Sequence, residues 1–215
     1  MEKIKTLFAH KIFKILKWAF LILVGLFVVL VIIRVFHFFN LDKTNAQVEK
    51  IHAMKITIDD VMGKNLPPDP GIEADKTVQG IDANKNGIRD DVELVVFKEY
   101  PNSAKTRGAL LQYALASQMQ LTQPFMNTIL ATEISREHSR ADSCLADTLV
   151  PRKTPHSSRD SSEMDKIDKY ITFMDKLIFN TEARNKKRDF FYGQVRSFSD
   201  LEKEECDIDY SKLSN

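Results

Sequence analysis

The sequence lacks the short signatures that announce a familiar chemistry. It has no H-E-x-x-H, no G-x-S-x-G, no S-x-x-K, no phosphate loop and no dinucleotide fingerprint. Charge of one sign is lacking too. Lys and Arg number 31 against 30 Asp and Glu, a net charge of +1, which gives no reason to invoke nucleic acid. Cysteine is scarce: there are two, Cys144 and Cys206. An isolated pair suits a disulfide in an oxidising compartment better than a catalytic thiol or a metal site. No internal repeat is present, and long apolar runs are absent after residue 40.

One such run precedes it. From Trp18 to Ile33 every residue is apolar or Gly. With its flanks the run reaches about 20 residues, enough for a hydrocarbon core about 30 Å thick. Lys14, Lys17 and Arg34 can snorkel to the two interfaces, where Trp18, Phe36, Phe38 and Phe39 also fit. Lys3, Lys5, Lys11, Lys14 and Lys17 precede the run, whereas Lys43 and Lys50 beyond it are mixed with Asp42 and Glu49. The positive-inside rule then predicts a cytoplasmic N-terminus and an exported C-terminal part. A cleaved signal peptide would have a shorter apolar region and a small-residue cleavage site. Thr44-Asn45-Ala46 is a poor one, so the segment is read as a retained anchor. The expected organisation is a cytoplasmic tail (1–17), a transmembrane anchor (18–39), a juxtamembrane segment with a Pro-rich linker (40–74) and a helical domain (75–215).

The stretch Asp82–Glu93 fits the calcium-loop pattern D-x-[DN]-x-[DN]-G-x5-E. Calcium takes about six to eight oxygen ligands from a flexible loop. Asp82, Asn84 and Asn86 fill positions 1, 3 and 5, and Gly87 makes the sharp turn. Ile88 would offer its backbone carbonyl, Asp90 a direct or water-mediated oxygen, and Glu93 both carboxylate oxygens. A turn followed by an Asp-capped helix would explain the same residues less fully, because it leaves Asp82 and the spacing to Glu93 unaccounted for.

Two departures from an EF-hand stand out. Position 8 carries Arg89, and Thr77–Ile81 looks extended, with Gly80 close to the loop. With its Asn-Gly-Ile-x-Asp-Asp-x-Glu core the stretch resembles the EF-hand-like loops of bacterial envelope proteins and of thrombospondin type 3 repeats. It is also similar to the loop of a group of bacterial membrane-anchored proteins. The resemblance covers about a dozen residues and implies calcium binding without implying an activity. Three formal negative charges would face the ion, opposed by Lys85 and Arg89. That predicts a weak, extracellular-type site, with Kd roughly 10⁻⁴–10⁻³ M.

The remaining periodicities predict an all-α exported domain. Residues 44–62 read as a helix that loosens near Ile56 and ends at Gly63. Asp91–Tyr100 reads as the helix leaving the loop. A second helix, capped by Asn102 or Ser103 and running to about Gln123, carries a buried stripe of Leu110, Leu111, Ala114, Leu115, Gln118 and Leu121. A third is expected to about Arg140. A fourth begins near Ser161 or Ser162, and a further helical stretch covers Glu182–Phe198. A Cys144–Cys206 bridge would close a loop of roughly 60 residues, nominally worth about 4 kcal/mol, and tie the tail to the connection between the third and fourth helices.

Chemistry beyond the ion has little support. Glu133, Glu137, His138 and Asp142 gather on one helix, but the interleaved Arg136 and Arg140 make a solvated ion-pair face the simpler reading. His156 lies in a polar loop. The basic run Arg184–Arg188 before Phe190–Tyr192 reads as a solvated helix face, with contact to anionic lipid or an acidic partner as the alternative. The sequence thus describes a single-pass protein of the bacterial inner membrane with a periplasmic, calcium-stabilised helical domain. Its role is read as a non-enzymatic binding or structural module, with another envelope protein as the expected partner. A membrane-tethered envelope hydrolase and a sensor or assembly subunit are the alternatives.

Overall fold

The computed structural model describes residues 2–154, 157–200 and 203–213, with side chains from residue 13 onward. The side chains of Lys3, Lys5, His10 and Lys11, and all of His156, lie outside the described residues. Seven α-helices and two short 3₁₀ turns account for the regular structure, and no strand occurs among the described residues. The all-α expectation holds. The chain divides into two compact units, Met1–Ala46 and Gln47–Asn215.

In the first unit the apolar run lies within α1 (Glu2–Ala53). This is the one helix among the described residues long and apolar enough to cross a membrane, with a mean hydropathy of 3.1 in its most apolar window. Side chains from Phe13 to Phe39 have no protein cover, as a lipid-facing helix requires.

In the second unit the chain leaves α1 at Ala53 and turns through α2 (Ile58–Val61). There Thr57 and Asp60 cap each other's backbone in a reciprocal box. A 3₁₀ turn at Gly71–Asp75 leads to the loop and then to α3 (Asp90–Glu99). Within the juxtamembrane segment and Pro-rich linker expected over 40–74, Ile51, Ile56, Val61 and Ala74 are buried in the core.

The organising element is α4 (Ala104–Thr122), started by the Ser103 hydroxyl, which accepts from the Thr106 amide. A one-sided stripe was expected, yet every residue from Arg107 to Leu121 is buried. Neighbours surround it: α2, α3, α5 (Thr128–Leu149), α6 (Ser161–Ile178) and α7 (Glu182–Gln194) all pack on it. A helix buried all round usually reads as apolar all round. This one escapes that rule because its polar side chains find distant partners. Gln112 Nε2 donates to the Glu205 carbonyl at 2.8 Å, while its Oε1 accepts from the Asp207 amide and the Tyr210 hydroxyl. Gln118 donates to the Gln79 carbonyl, and Arg107 to the carbonyls of Val61, Tyr100 and Pro101. Each bond ties α2 or an irregular segment to the central helix.

Helix α5 runs to Leu149 rather than Arg140, since no breaker precedes Pro151 and Cys144 and Leu145 extend its buried face. Helices α6 and α7 start where expected, capped by Asp160 and Thr181, and α7 ends at Gln194. Cys144 and Cys206 are joined, with Cα atoms 5.1 Å apart, so the acidic tail lies back along α4 and α5.

Candidate metal centre

The loop folds by satisfying its own backbone. Asp82 accepts from the amides of Asn86 (3.1 Å) and Gly87 (2.9 Å), and Asn86 Oδ1 accepts from Ile88 N at 2.9 Å. Asp90 closes the turn by accepting from Ala83 N at 3.0 Å, and its own amide donates to the Ile81 carbonyl. Lys85 is held at φ 60° and Gly87 at φ 86°. At Gly87 a Cβ would also stand 2.6 Å from Leu115 Cδ1, so the turn needs glycine for both conformation and space. Ile88 is 1 % exposed and pins the loop to the core beside Val92.

Glu93 is the most unusual member. It sits in the first turn of α3 at 1 % exposure. Its Oε2 accepts only from two side-chain amides, Asn84 Nδ2 at 2.9 Å and Asn86 Nδ2 at 3.1 Å. Burial pushes its carboxyl up to about 7, the two amides oppose this, and the charges of Asp60 and Asp90 add to it. Burial also raises Asp90, opposed by the Ala83 amide. Among the described residues no Lys or Arg forms an ion pair with Asp82, Asp90 or Glu93. Beside them a cleft of about 470 Å³ opens, lined by Asp60, Asp82, Asn84 and Asn86 together with Lys55 and Lys85.

This donor chemistry fits a hard cation. One twelve-residue stretch supplies three carboxylates, two amides and a backbone carbonyl, and the two amide nitrogens serve Glu93 as a cation would. A cation would be held by Asp82, Asn84, Asn86, Ile88, Asp90 and Glu93. No group of three His, Cys, Asp or Glu at metal-ligating separation is found among the described residues.

Arg89 requires a correction. It was expected to oppose the ion, but among the described residues its guanidinium forms no ion pair with Asp82, Asp90 or Glu93 and turns instead to Asp91 and the end of α6. Fully buried, it pairs with Asp91 through Nε and Nη2, both at 2.6 Å. It also donates to the carbonyls of Leu177 (2.9 Å) and Ile178 (3.0 Å) at the end of α6. Its Cδ lies where a Cβ on Gly80 would fall, at 2.1 Å, which explains a glycine at φ 71° beside the loop. A second buried arginine, Arg184, fastens the segment before the loop. It pairs with Asp75 and donates to the carbonyls of Ala74, Thr77 and Val78. The basic run on α7 is thus partly structural: Arg184 is internal, Lys186 pairs with Glu182, and Arg188 lies over the Phe179 ring.

The acidic group on α5 is likewise not a solvated face. Glu137 is 2 % exposed, bonded to Arg140 Nε at 2.8 Å and to Lys203. Arg140 continues to Asp207 and to the Glu205 carbonyl. Glu133 takes His52 Nε2 at 3.1 Å and Arg136. His138 stands apart from them, between Asp142 (Nδ1, 3.3 Å) and the Ser117 hydroxyl (Nε2, 3.1 Å). The order Ser–His–Asp is that of a nucleophile relay. Ser117, however, is fully buried in mid-α4, where helical bonding occupies the neighbouring amides that could serve an oxyanion.

Sequence reasoning missed Asp60, Ser117 and Gln120. The Thr57-x-x-Asp60 spacing was a readable capping signal. Nothing local marked the two α4 residues. Comparison with protein-family models, with curated proteins and with solved structures finds no match to this chain.

Proposed function

We propose that this is a single-pass membrane protein whose helical domain, carried outside the cytoplasm, is stabilised by calcium in the loop 82–93. The observation that carries the reading is the pair Asp90 and Glu93, buried at about 1 % exposure with amide donors but no cationic partner. A buried carboxylate needs a proton or a cation, and exported compartments supply calcium at the concentrations a weak site requires. Support for the export of residues 47–215 comes from three features: the basic residues before the apolar run, the run itself and the Cys144–Cys206 bridge. In a bacterial cell the compartment that fits this reading is the periplasm, with the anchor in the inner membrane. With Glu133 and Glu137 of α5 committed to Arg136, Arg140 and Lys203, the role is a binding or structural module that joins another envelope component.

Thermal unfolding of the full chain in detergent micelles, with millimolar calcium and then with chelator, tests the reading. Selective binding to the native state stabilises by RT ln(1 + [L]/Kd), about 0.4–1.4 kcal/mol at 1 mM calcium for a Kd of roughly 10⁻³–10⁻⁴ M. Glu93→Ala should abolish the difference. An identical unfolding temperature in calcium and chelator, unaltered by Glu93→Ala, removes calcium from the account. A C-terminal reporter active only in the cytosol removes export.

A further inference from the structure

A second concave site lies far from the loop in sequence, where α4, α5 and α7 meet. It is a cleft of about 280 Å³. Residues 135, 138, 139 and 142 recur at helical spacing, so one face of α5 forms a polar wall. Phe191, Tyr192 and Phe198 supply aromatic surface from α7 and the segment after it.

The polar atoms of this cleft are unevenly used. Both nitrogens of His138 are engaged, one by Asp142 and one by Ser117, and its ring stacks edge-on against Tyr113 at 5.1 Å. The imidazole therefore orients Asp142 and has nothing left to offer a ligand. The Gln120 amide reaches the Tyr192 hydroxyl. Among the described residues two buried acceptor atoms have no partner, Gln120 Oε1 and Asp142 Oδ1, the second on a side chain that is itself 41 % exposed. Gln120 is 1 % exposed, and orphaned buried oxygens are rare because each costs roughly 1–3 kcal/mol. Charge in the surroundings has a sign as well. Burial, then the charges of Asp175 and Asp142, hold the Tyr192 hydroxyl protonated above its usual range, with Arg188 opposing.

We propose that this cleft binds a small primary ammonium compound with an apolar or aromatic arm, its N–H groups donating to Gln120 Oε1 and Asp142 Oδ1. Two orphaned acceptors, one of them a carboxylate oxygen, ask for a donor that carries positive charge. The aromatic rings accept both the cation, through their negative faces, and the apolar arm. An anion would meet the unpaired Asp142 oxygen, and a neutral donor would forgo the charge. This inference is independent of calcium at residues 82–93.

Calorimetric titration of the full chain in micelles tests it with three isosteric probes: phenethylammonium, 2-phenylethanol and 3-phenylpropionate. Phenethylammonium should bind saturably, at least about tenfold tighter than the alcohol, as charge-assisted hydrogen bonds outweigh neutral ones. The carboxylate should not bind. Asp142→Asn preserves an acceptor for His138 and should leave the unfolding temperature unchanged. It should weaken phenethylammonium about tenfold while sparing the alcohol. Phe198→Ala should weaken both. Nα-acetyl-lysinamide binding above phenethylammonium would assign the head group to a displayed lysine, and the reverse order to a free amine. Equal affinity for ammonium and alcohol, indifference to Asp142→Asn, or no saturable binding by any ammonium overturns the proposal and leaves a hydrated cleft.

Discussion

Arg89 Nη1 donates to the backbone carbonyl of Ile178 at 3.0 Å. A residue flanked by two loop ligands thereby caps the end of a helix far away in the chain. The contact places positive charge at a helix C-terminus, where the macrodipole favours it, and it couples the loop's shape to the seating of α6.

Replacing Arg89 should therefore be costly. Arg89→Ala leaves Asp91 and two α6 carbonyls unserved and is expected to lower stability by about 3–5 kcal/mol. Arg89→Lys keeps the charge but cannot reach three acceptors in a fixed fork, so it should recover only part of the loss. Denaturant unfolding of the full chain in micelles measures both. Wild-type stability in Arg89→Ala would remove the coupling.

The pH dependence turns on Glu93. Its carboxyl is raised from an ordinary 4.5 to about 7 in the folded protein, chiefly by burial. Between those values the native state holds a proton that the unfolded state has released. Its contribution to stability is complete below about 4.5 and is lost as pH rises through about 7. In chelator the loss should reach up to about 3 kcal/mol. Glu93→Gln, which mimics the protonated form, should flatten that part of the curve. Under the proposed function calcium would bind the ionised form, so its stabilising effect should grow over the same interval. Unfolding temperatures between pH 4.5 and 8, with and without calcium, read both effects. A rising stability of the wild type in chelator, relative to Glu93→Gln, would contradict the assignment.

Burial also separates the ion pairs of this domain by worth. Glu137→Ala strands Arg140 and Lys203 beside Asp207 and should cost about 3–5 kcal/mol. Glu182→Ala on the surface of α7, where Glu182 meets Lys186, should be indistinguishable from wild type. Paired denaturation curves decide this. Equal effects would return the α5 cluster to solvent.

The Cys144–Cys206 bridge fixes the tail. Its removal, as Cys144→Ala with Cys206→Ala, should cost about 2–5 kcal/mol. Gln112 and Arg140 would still hold Glu205 and Asp207, so the tail should loosen rather than leave. Limited proteolysis within 203–213 should be faster in the double variant, with the helical core resisting at its former rate. No change in cleavage would mean that the polar contacts alone hold the tail.

Much of this fold was legible in the chain, because local chemistry suffices for local structure. The run from Trp18 to Ile33 can be satisfied only as a helix surrounded by apolar material. Ser103, Asp160 and Thr181 start helices by bonding amides three residues on, and that signal needs no tertiary knowledge. The Asp82–Glu93 spacing likewise announced a loop that folds on its own carboxylates. Tertiary structure alone decided which polar residues lie inside. Periodicity put Gln118 in the buried stripe of α4 but left Gln112 outside it, yet Gln112 is buried too, because its partners at Glu205 and Asp207 lie far off in sequence. Arg89 read as an opponent of the ion for the same reason, since the α6 carbonyls that claim it are remote. Hydrophobic patterning depends on near neighbours, whereas buried polar groups depend on partners that only the folded chain brings within about 3 Å.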